Sequence, residues 1–242
     1  MPHLRLTPVV VGLAIALLAL TGCTPSAPGA GKTPAPVATE SSPPPAPSIA
    51  TVATATGATV PVYDAPGGTV TSTLANPQAQ GAPLTFLVVK AEKDWIQVKV
   101  SQRPNGSTGW VAPSSVSLAK LVYSLKVSVA DKTLSLYDNN KLVKSFPVAT
   151  GTGGTPTPLG DFFLTELIAP TNSGYGPYAF GLSAFSEVLS SFGGGPGQIG
   201  LHGTDDAASI GQASSHGCIR MSNDDITTLA KLLPLGTPIS IS

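Results

Sequence analysis

Beyond Thr51 many apolar residues of this chain fall in short runs at every second position, broken at close intervals by Gly, Pro, Asn and Asp. Side chains two apart lie on one face of an extended backbone, so such runs read as half-buried strands. In Trp95–Val100, Ile96, Val98 and Val100 share one face while Gln97 and Lys99 share the other. Of the 242 residues, 26 are Gly and 24 are Pro, and only 11% are charged. Helical spacing is clear once: Ile226, Leu229, Ala230 and Leu233 line one face, Ser222 stands as N-cap with Asp225 three residues on, and Pro234 ends the run. The expected fold class is mainly β with one or two short helices.

Two β domains are expected. In the first, residues 51–118, strand candidates are Val60–Tyr63, Thr69–Leu74, Leu84–Lys90, Trp95–Val100 and Gly109–Ala112, with Asn105-Gly106 as a hairpin turn. In the second, residues 120–242, they are Tyr123–Ala130, Thr133–Tyr137, Leu142–Ala149, Asp161–Ile168 and Pro238–Ile241, with Asp138-Asn139-Asn140 as a turn. Ala169–Gly200 reads as one long lid with Gly174, Gly176, Gly193, Gly194, Gly195 and Gly197 as pivots; a passive surface loop is the alternative.

The first fifty residues have a different composition. Arg5 precedes the apolar run Val9–Leu20, which is too short for the roughly twenty residues of a membrane span but suits an export signal. It ends in Leu20-Thr21-Gly22-Cys23, which resembles the bacterial lipobox, so residues 1–23 read as a lipoprotein signal with lipidation at Cys23. Residues 24–50 are mostly Pro, Ala, Ser and Thr, with almost nothing to bury, and read as a linker. The expected location is the outer face of the cytoplasmic membrane or the cell wall, lipid-anchored. An ordinary signal peptide followed by an incidental cysteine remains the alternative.

Thirteen basic and thirteen acidic side chains leave no net charge, so nothing suggests a nucleic-acid partner. The chemistry is concentrated in Leu201–Met221. Only three histidines and two cysteines occur in the chain; His202, His216 and Cys218 all fall in this stretch. With Cys23 assigned to an anchor, Cys218 has no disulfide partner. A thiol nucleophile needs a nearby base, because little thiolate exists at neutral pH at an ordinary cysteine pKa. Gly203 and Gly217 remove side chains beside His202 and Cys218, which admits a substrate backbone. Three other readings stay open: a packed apolar cysteine, a zinc site of His202, His216 and Cys218, and a Cys-His-Asp triad using Asp205 or Asp206. Which histidine is the base is also open, with His202 preferred.

His202-Gly203-Thr204 followed by Ser215-His216-Gly217-Cys218-Ile219-Arg220-Met221 resembles the signature of the YkuD-type L,D-transpeptidases, enzymes that cross-link peptidoglycan. Gly151–Gly160 is similar to the Gly- and Pro-rich segment of that family, and Arg220 stands where many members have Asn. The resemblance covers roughly the C-terminal half of the chain. It implies a transpeptidase-type β-sandwich, Cys218 as nucleophile through a thioester, and His202 as base, its ring oriented by the carbonyl of Gly203. The N–H groups of Gly217 and Cys218 would form the oxyanion hole, and His216 would shape the site. Arg220, Ser215 and Tyr178 are the expected substrate-binding residues.

The implied partners are peptidoglycan stem peptides, as acyl donor and acceptor, and the membrane through the lipid anchor. No cofactor or metal is expected, and the protein is expected to be a monomer. The first domain, ending in Gly109-Trp110-Val111, resembles a bacterial SH3-like barrel, which implies a wall-binding or positioning module; two tryptophans that merely fill a small core are the alternative. A hydrolase with the same acyl-enzyme, or a wall-binding lipoprotein without catalysis, are the competing functions.

Overall fold

Residues 50–242 are described by a computed structural model; the expected export signal, Cys23 and the linker up to residue 49 lie outside the described residues. The first sheet is made of β1 (Ala50–Ala55), β2 (Thr59–Tyr63), β3 (Val70–Ala75), β4 (Thr85–Ala91), β5 (Ile96–Lys99), β6 (Thr108–Val111) and β7 (Val116–Leu121). Their order is β3-β2-β6-β5-β4-β1-β7, and every pairing is antiparallel. Val60, Val62, Phe86, Ile96, Val98 and Val111 meet in its core. Two more strands form than the five expected. Ala50–Ala55 carries Ala and Thr where a strand pattern would show large apolar residues, and Val116–Leu121 buries only its two ends, so neither alternates visibly.

The second sheet follows directly. It is built from β8 (Tyr123–Ser128), β9 (Thr133–Asp138), β10 (Lys141–Pro147), β12 (Gly160–Ile168), β13 (Ala179–Phe185), β14 (Gln198–His202), β16 (Ile219–Arg220) and β17 (Pro238–Ile241). A separate parallel pair joins β11 (Thr150–Gly151) to β15 (Ala213–Ser215). The main order is β10-β9-β8-β17-β12-β13-β14-β16, with β17 parallel to β8 and β14 parallel to β16. Helix α1 (Asn223–Leu232) is the one α-helix among the described residues, and Ser222 caps it by accepting the Asp225 N–H at 3.1 Å. Its buried Ile226 and Leu229 join Leu164, Phe180, Leu182, Leu201 and Met221 in a second core. The fold is mainly β.

Ala169–Gly200 is not one lid. Its middle is strand β13, buried at all but one of its positions. A strand covered on both faces reads as a continuous apolar run without alternation, which hid it in Ala-Phe-Gly-Leu-Ser-Ala-Phe. Two shorter loops remain, one on each side of β13.

Both sheets fall within one compact unit. Side chains of the first reach backbone carbonyls of the second: Gln78 Nε2 donates to Thr165 O at 3.0 Å and Lys99 Nζ to Asp161 O at 2.7 Å.

Candidate active site

The parallel pairing of β14 with β16 sets Leu201 beside Ile219 and His202 beside Arg220. Cys218 therefore stands just before β16, level with Gly200, whose N–H donates to the thiol sulfur at 3.3 Å. A side chain built on Gly200 would place its first carbon 3.6 Å from Cδ2 of His202 and 3.8 Å from Sγ of Cys218. Sulfur and imidazole edge thus flank one small open space, which glycine leaves unfilled. Both line an open cavity with Gly174, Tyr175, Phe192, His216 and Arg220.

His202 is 3% exposed, and its Nδ1 lies 2.6 Å from the carbonyl oxygen of Gly203. A carbonyl only accepts, so Nδ1 carries the proton and Nε2 is left as the lone-pair nitrogen. Burial lowers the pKa of His202 to about 4, against the Gly203 carbonyl, which raises it, and together with the charge of Arg220. The ring is neutral at pH 7. Burial pushes the Cys218 thiol up, while the Gly200 N–H and Arg220 pull it down. The resting pair is therefore a thiol beside a neutral imidazole.

The Gly203 carbonyl belongs to a peptide held from its other side. The N–H of that same peptide, on Thr204, donates to Oδ1 of Asn223 at 3.0 Å. A chain of hydrogen bonds runs from Nδ1 of His202 through one peptide group to the first residue of α1, and each bond polarises the next. Gly203 and Gly176 are both pressed against Asn223, and a side-chain carbon at either would overlap its Oδ1. Asp205 and Asp206 are exposed; the Asp205 carboxylate accepts from Ser173 Oγ at 3.0 Å, and neither residue bonds to His202. The oriented peptide occupies the place a triad carboxylate would take.

The turn that carries Cys218 is held from below by the segment after β11. Thr157 Oγ1 accepts the Gly151 N–H at 2.8 Å and donates to Gly217 O at 2.9 Å. Gly217 has φ +118°, and a side chain there would press on Ile199. Ser215 departs from expectation. It is 1% exposed, its hydroxyl donates to Cys218 O at 2.6 Å, and it accepts the Gly217 N–H at 3.1 Å, so it shapes the turn and is not free for substrate. The expected oxyanion pair is corrected by the same contact: the Gly217 N–H is engaged, leaving that of Cys218 as the donor not held by Ser215.

Tyr178 also departs. It packs against the core, and its carbonyl accepts the Gly203 N–H at 3.3 Å. The tyrosine at the cavity is Tyr175, whose ring centroid lies 4.6 Å from that of His202. His216 is exposed and stacks on Phe192 at 5.2 Å, with the rings 28° apart. Arg220 lines the cavity half-buried, with its Nε buried and without a hydrogen-bond partner among the described residues. No three His, Cys, Asp or Glu side chains among the described residues are placed to share a metal ion. Sequence reading missed Tyr175, Phe192, Thr157 and Asn223; only the flanking Gly174 and Gly176 marked Tyr175 as lying in a special backbone.

The sequence profile of the YkuD family, described as the L,D-transpeptidase catalytic domain, matches residues 122–241. YkuD of Bacillus subtilis (strain 168) is 38% identical over 120 residues, 50% of this chain and 66% of that protein. YqjB of the same organism is 32% identical over 123 residues, 45% of this chain and 65% of that protein. Both carry L,D-transpeptidase in their names, and the chain spans just under two thirds of each. Among solved structures, that of Bdellovibrio bacteriovorus Bd1075 is 28% identical with TM-score 0.41, covering 50% of this chain and 48% of that one. On its sequence matches, residues 122–241 of this chain belong to the YkuD family of L,D-transpeptidase catalytic domains.

Proposed function

We propose that the protein is a peptidoglycan L,D-transpeptidase working through a Cys218 thioester. The observation that carries this reading is a neutral, buried His202, fixed through Nδ1 on Gly203 O, sharing one cavity with the thiol of Cys218. Sγ adds to the carbonyl carbon of the third, L-centred residue of a stem peptide as its proton passes to Nε2 of His202. The C–N bond to D-Ala then breaks, and Nε2 returns that proton to the leaving nitrogen. An amine of a second stem adds to the thioester carbon and gives up its proton to Nε2. The C–S bond breaks, and Nε2 reprotonates the sulfur, so the thiol is recovered. The N–H of Cys218 meets the developing oxyanion.

Arg220, a cation that lines the cavity and whose Nε has no hydrogen-bond partner among the described residues, is assigned to a carboxylate of the stem peptide. The same reading gives Cys23 as a lipid anchor at the outer membrane face, residues 24–50 as a spacer, and residues 51–118 as an SH3-like module that positions a monomeric enzyme in the wall. Support for these lies in the lipobox-like Leu20–Cys23, the Pro-rich composition that follows, and the strand rhythm up to Trp110.

The test is incubation of the full-length protein with purified disaccharide-tetrapeptide, followed by mass spectrometry. Cross-linked dimer with a Cys218 adduct is the expected product. Tripeptide and free D-Ala alone would make the protein a carboxypeptidase, and no adduct at all would leave it a non-catalytic wall protein.

A further inference from the structure

The loop between β13 and β14 carries Phe192 to the cavity, where its ring stacks on His216. The loop closes itself at two levels. Ser186 N–H donates to Gly197 O at its base, and Phe192 and Gly195 exchange N–H···O bonds of 3.0 Å at its tip. The carbonyls between are gathered by a residue from the other sheet. Arg103, in the β5–β6 loop, donates Nη1 to Ser186 O at 2.6 Å and Nη2 to Leu189 O at 2.9 Å and Pro196 O at 3.0 Å. Its guanidinium also lies 5.3 Å from the ring centroid of Phe185.

One planar cation thus ties both arms of the loop. The fit is close: Gly197 has φ +71°, and a side-chain carbon there would overlap Leu189 O and lie 3.1 Å from Nη2 of Arg103. Two residues on, Asn105 pairs with the last residue of β13 as a strand neighbour would. Its Nδ2 donates to Phe185 O at 2.7 Å, and its Oδ1 accepts the Phe185 N–H at 2.8 Å.

We infer that Arg103 and Asn105 are positioning residues of the active site: the β5–β6 loop of the first sheet is a clasp that holds Phe192 against His216 and so sets one wall of the substrate cleft. The inference rests on the transpeptidase reading for what the cleft binds. It makes the first sheet part of the working enzyme as well as whatever it recognises in the wall. Neither Arg103 nor Asn105 hydrogen-bonds to Cys218 or His202. Releasing it therefore alters how a large peptide is held while leaving the thiol and imidazole as they were.

The experiment compares full-length wild type, Arg103→Ala and Arg103→Lys. Hydrogen exchange of the 186–197 amides is expected to quicken about tenfold or more in Arg103→Ala as the loop opens locally. For disaccharide-tetrapeptide, KM is expected to rise about tenfold, with kcat changed less, the split expected of lost substrate positioning. Alkylation of Cys218 by iodoacetamide at fixed pH should stay within about twofold of wild type, since thiol reactivity follows its base and pKa. Arg103→Lys should recover part of the KM, because an ammonium keeps the charge and donors on one nitrogen but cannot span carbonyls held by both Nη1 and Nη2.

Wild-type KM in Arg103→Ala, or a lower melting temperature with kinetics unchanged, would reduce Arg103 to a structural contact and overturn the clasp. Should wild type itself form no adduct with the tetrapeptide, the transpeptidase reading fails. The exchange measurement then decides the clasp alone: quickened exchange upholds it, and unchanged exchange ends it.

Discussion

Acid should loosen this fold through a single histidine. In the folded protein burial lowers the pKa of His202 from 6.5 to about 4. In the unfolded chain the same ring protonates near its ordinary value. Between those two values the unfolded state holds a proton that the folded state does not, so stability is lost as pH falls from 6.5 and levels off below about 4. Each pKa unit is worth about 1.4 kcal/mol, which makes the loss about 3 kcal/mol by pH 4. Glu166 acts with the opposite sign. Burial raises its carboxyl, so its protonation favours the folded state as pH falls. The wild-type curve is a sum of both, and the difference between wild type and His202→Gln isolates the histidine, since Gln does not titrate. Urea unfolding of both proteins at steps between about pH 7.5 and pH 4 gives that difference directly. It should shrink by about 3 kcal/mol toward acid. If it moves by less than about 0.5 kcal/mol, His202 is not held neutral by burial, and the assignment of Nε2 as a ready base loses its basis.

Cys218→Ser should keep the fold but remove activity; turnover within about tenfold of wild type would rule out the thiol as nucleophile. His202→Ala should slow alkylation of Cys218 at neutral pH by about a hundredfold, with recovery at higher pH, whereas His216→Ala should leave that pH profile in place. A shift in His216→Ala alone would exchange the two roles. Asn223→Ala strands the buried Thr204 N–H and frees the Gly203 peptide to turn, so it should cost about 1–3 kcal/mol in urea unfolding and slow acylation of Cys218 as well. Acylation at the wild-type rate would show that His202 keeps its orientation without Asn223.

What the sequence made legible was what is rare or local. His202, His216 and Cys218 stood out because the chain has so few of their kinds, and Ser222 with Asp225 declared the helix start from residues three apart. Hydroxyl and amide roles were harder, because they depend on which atom a turn brings within 3 Å. Ser215 was an expected substrate contact, yet its donor and an acceptor site are both taken by residues up to three positions away. Asn223 reaches a peptide nineteen positions earlier, and Arg103 reaches carbonyls more than eighty positions later. No periodicity encodes such contacts. They follow from where one sheet meets the other and where the first residue of α1 meets the segment just past β14.

The same dependence explains why Cys218 is followed by Ile219-Arg220-Met221. Cys218 faces Gly200 only while β16 keeps its register on β14, and a slip of one residue would turn every side chain of β16 to the opposite face. Two features oppose that slip. Met221 N–H donates to His202 O at 3.0 Å, and Arg220 exchanges bonds with Ala149 at 2.7 and 3.0 Å on the strand's other side. Ile219 and Met221, each 0% exposed, would have to leave the core, at about 1.5–3 kcal/mol apiece. A two-residue strand is short, but the apolar burial on either side of Arg220 makes its register the cheapest by several kcal/mol. The thiol is therefore placed by the packing of its neighbours, while Arg220 between them is left to face the cavity.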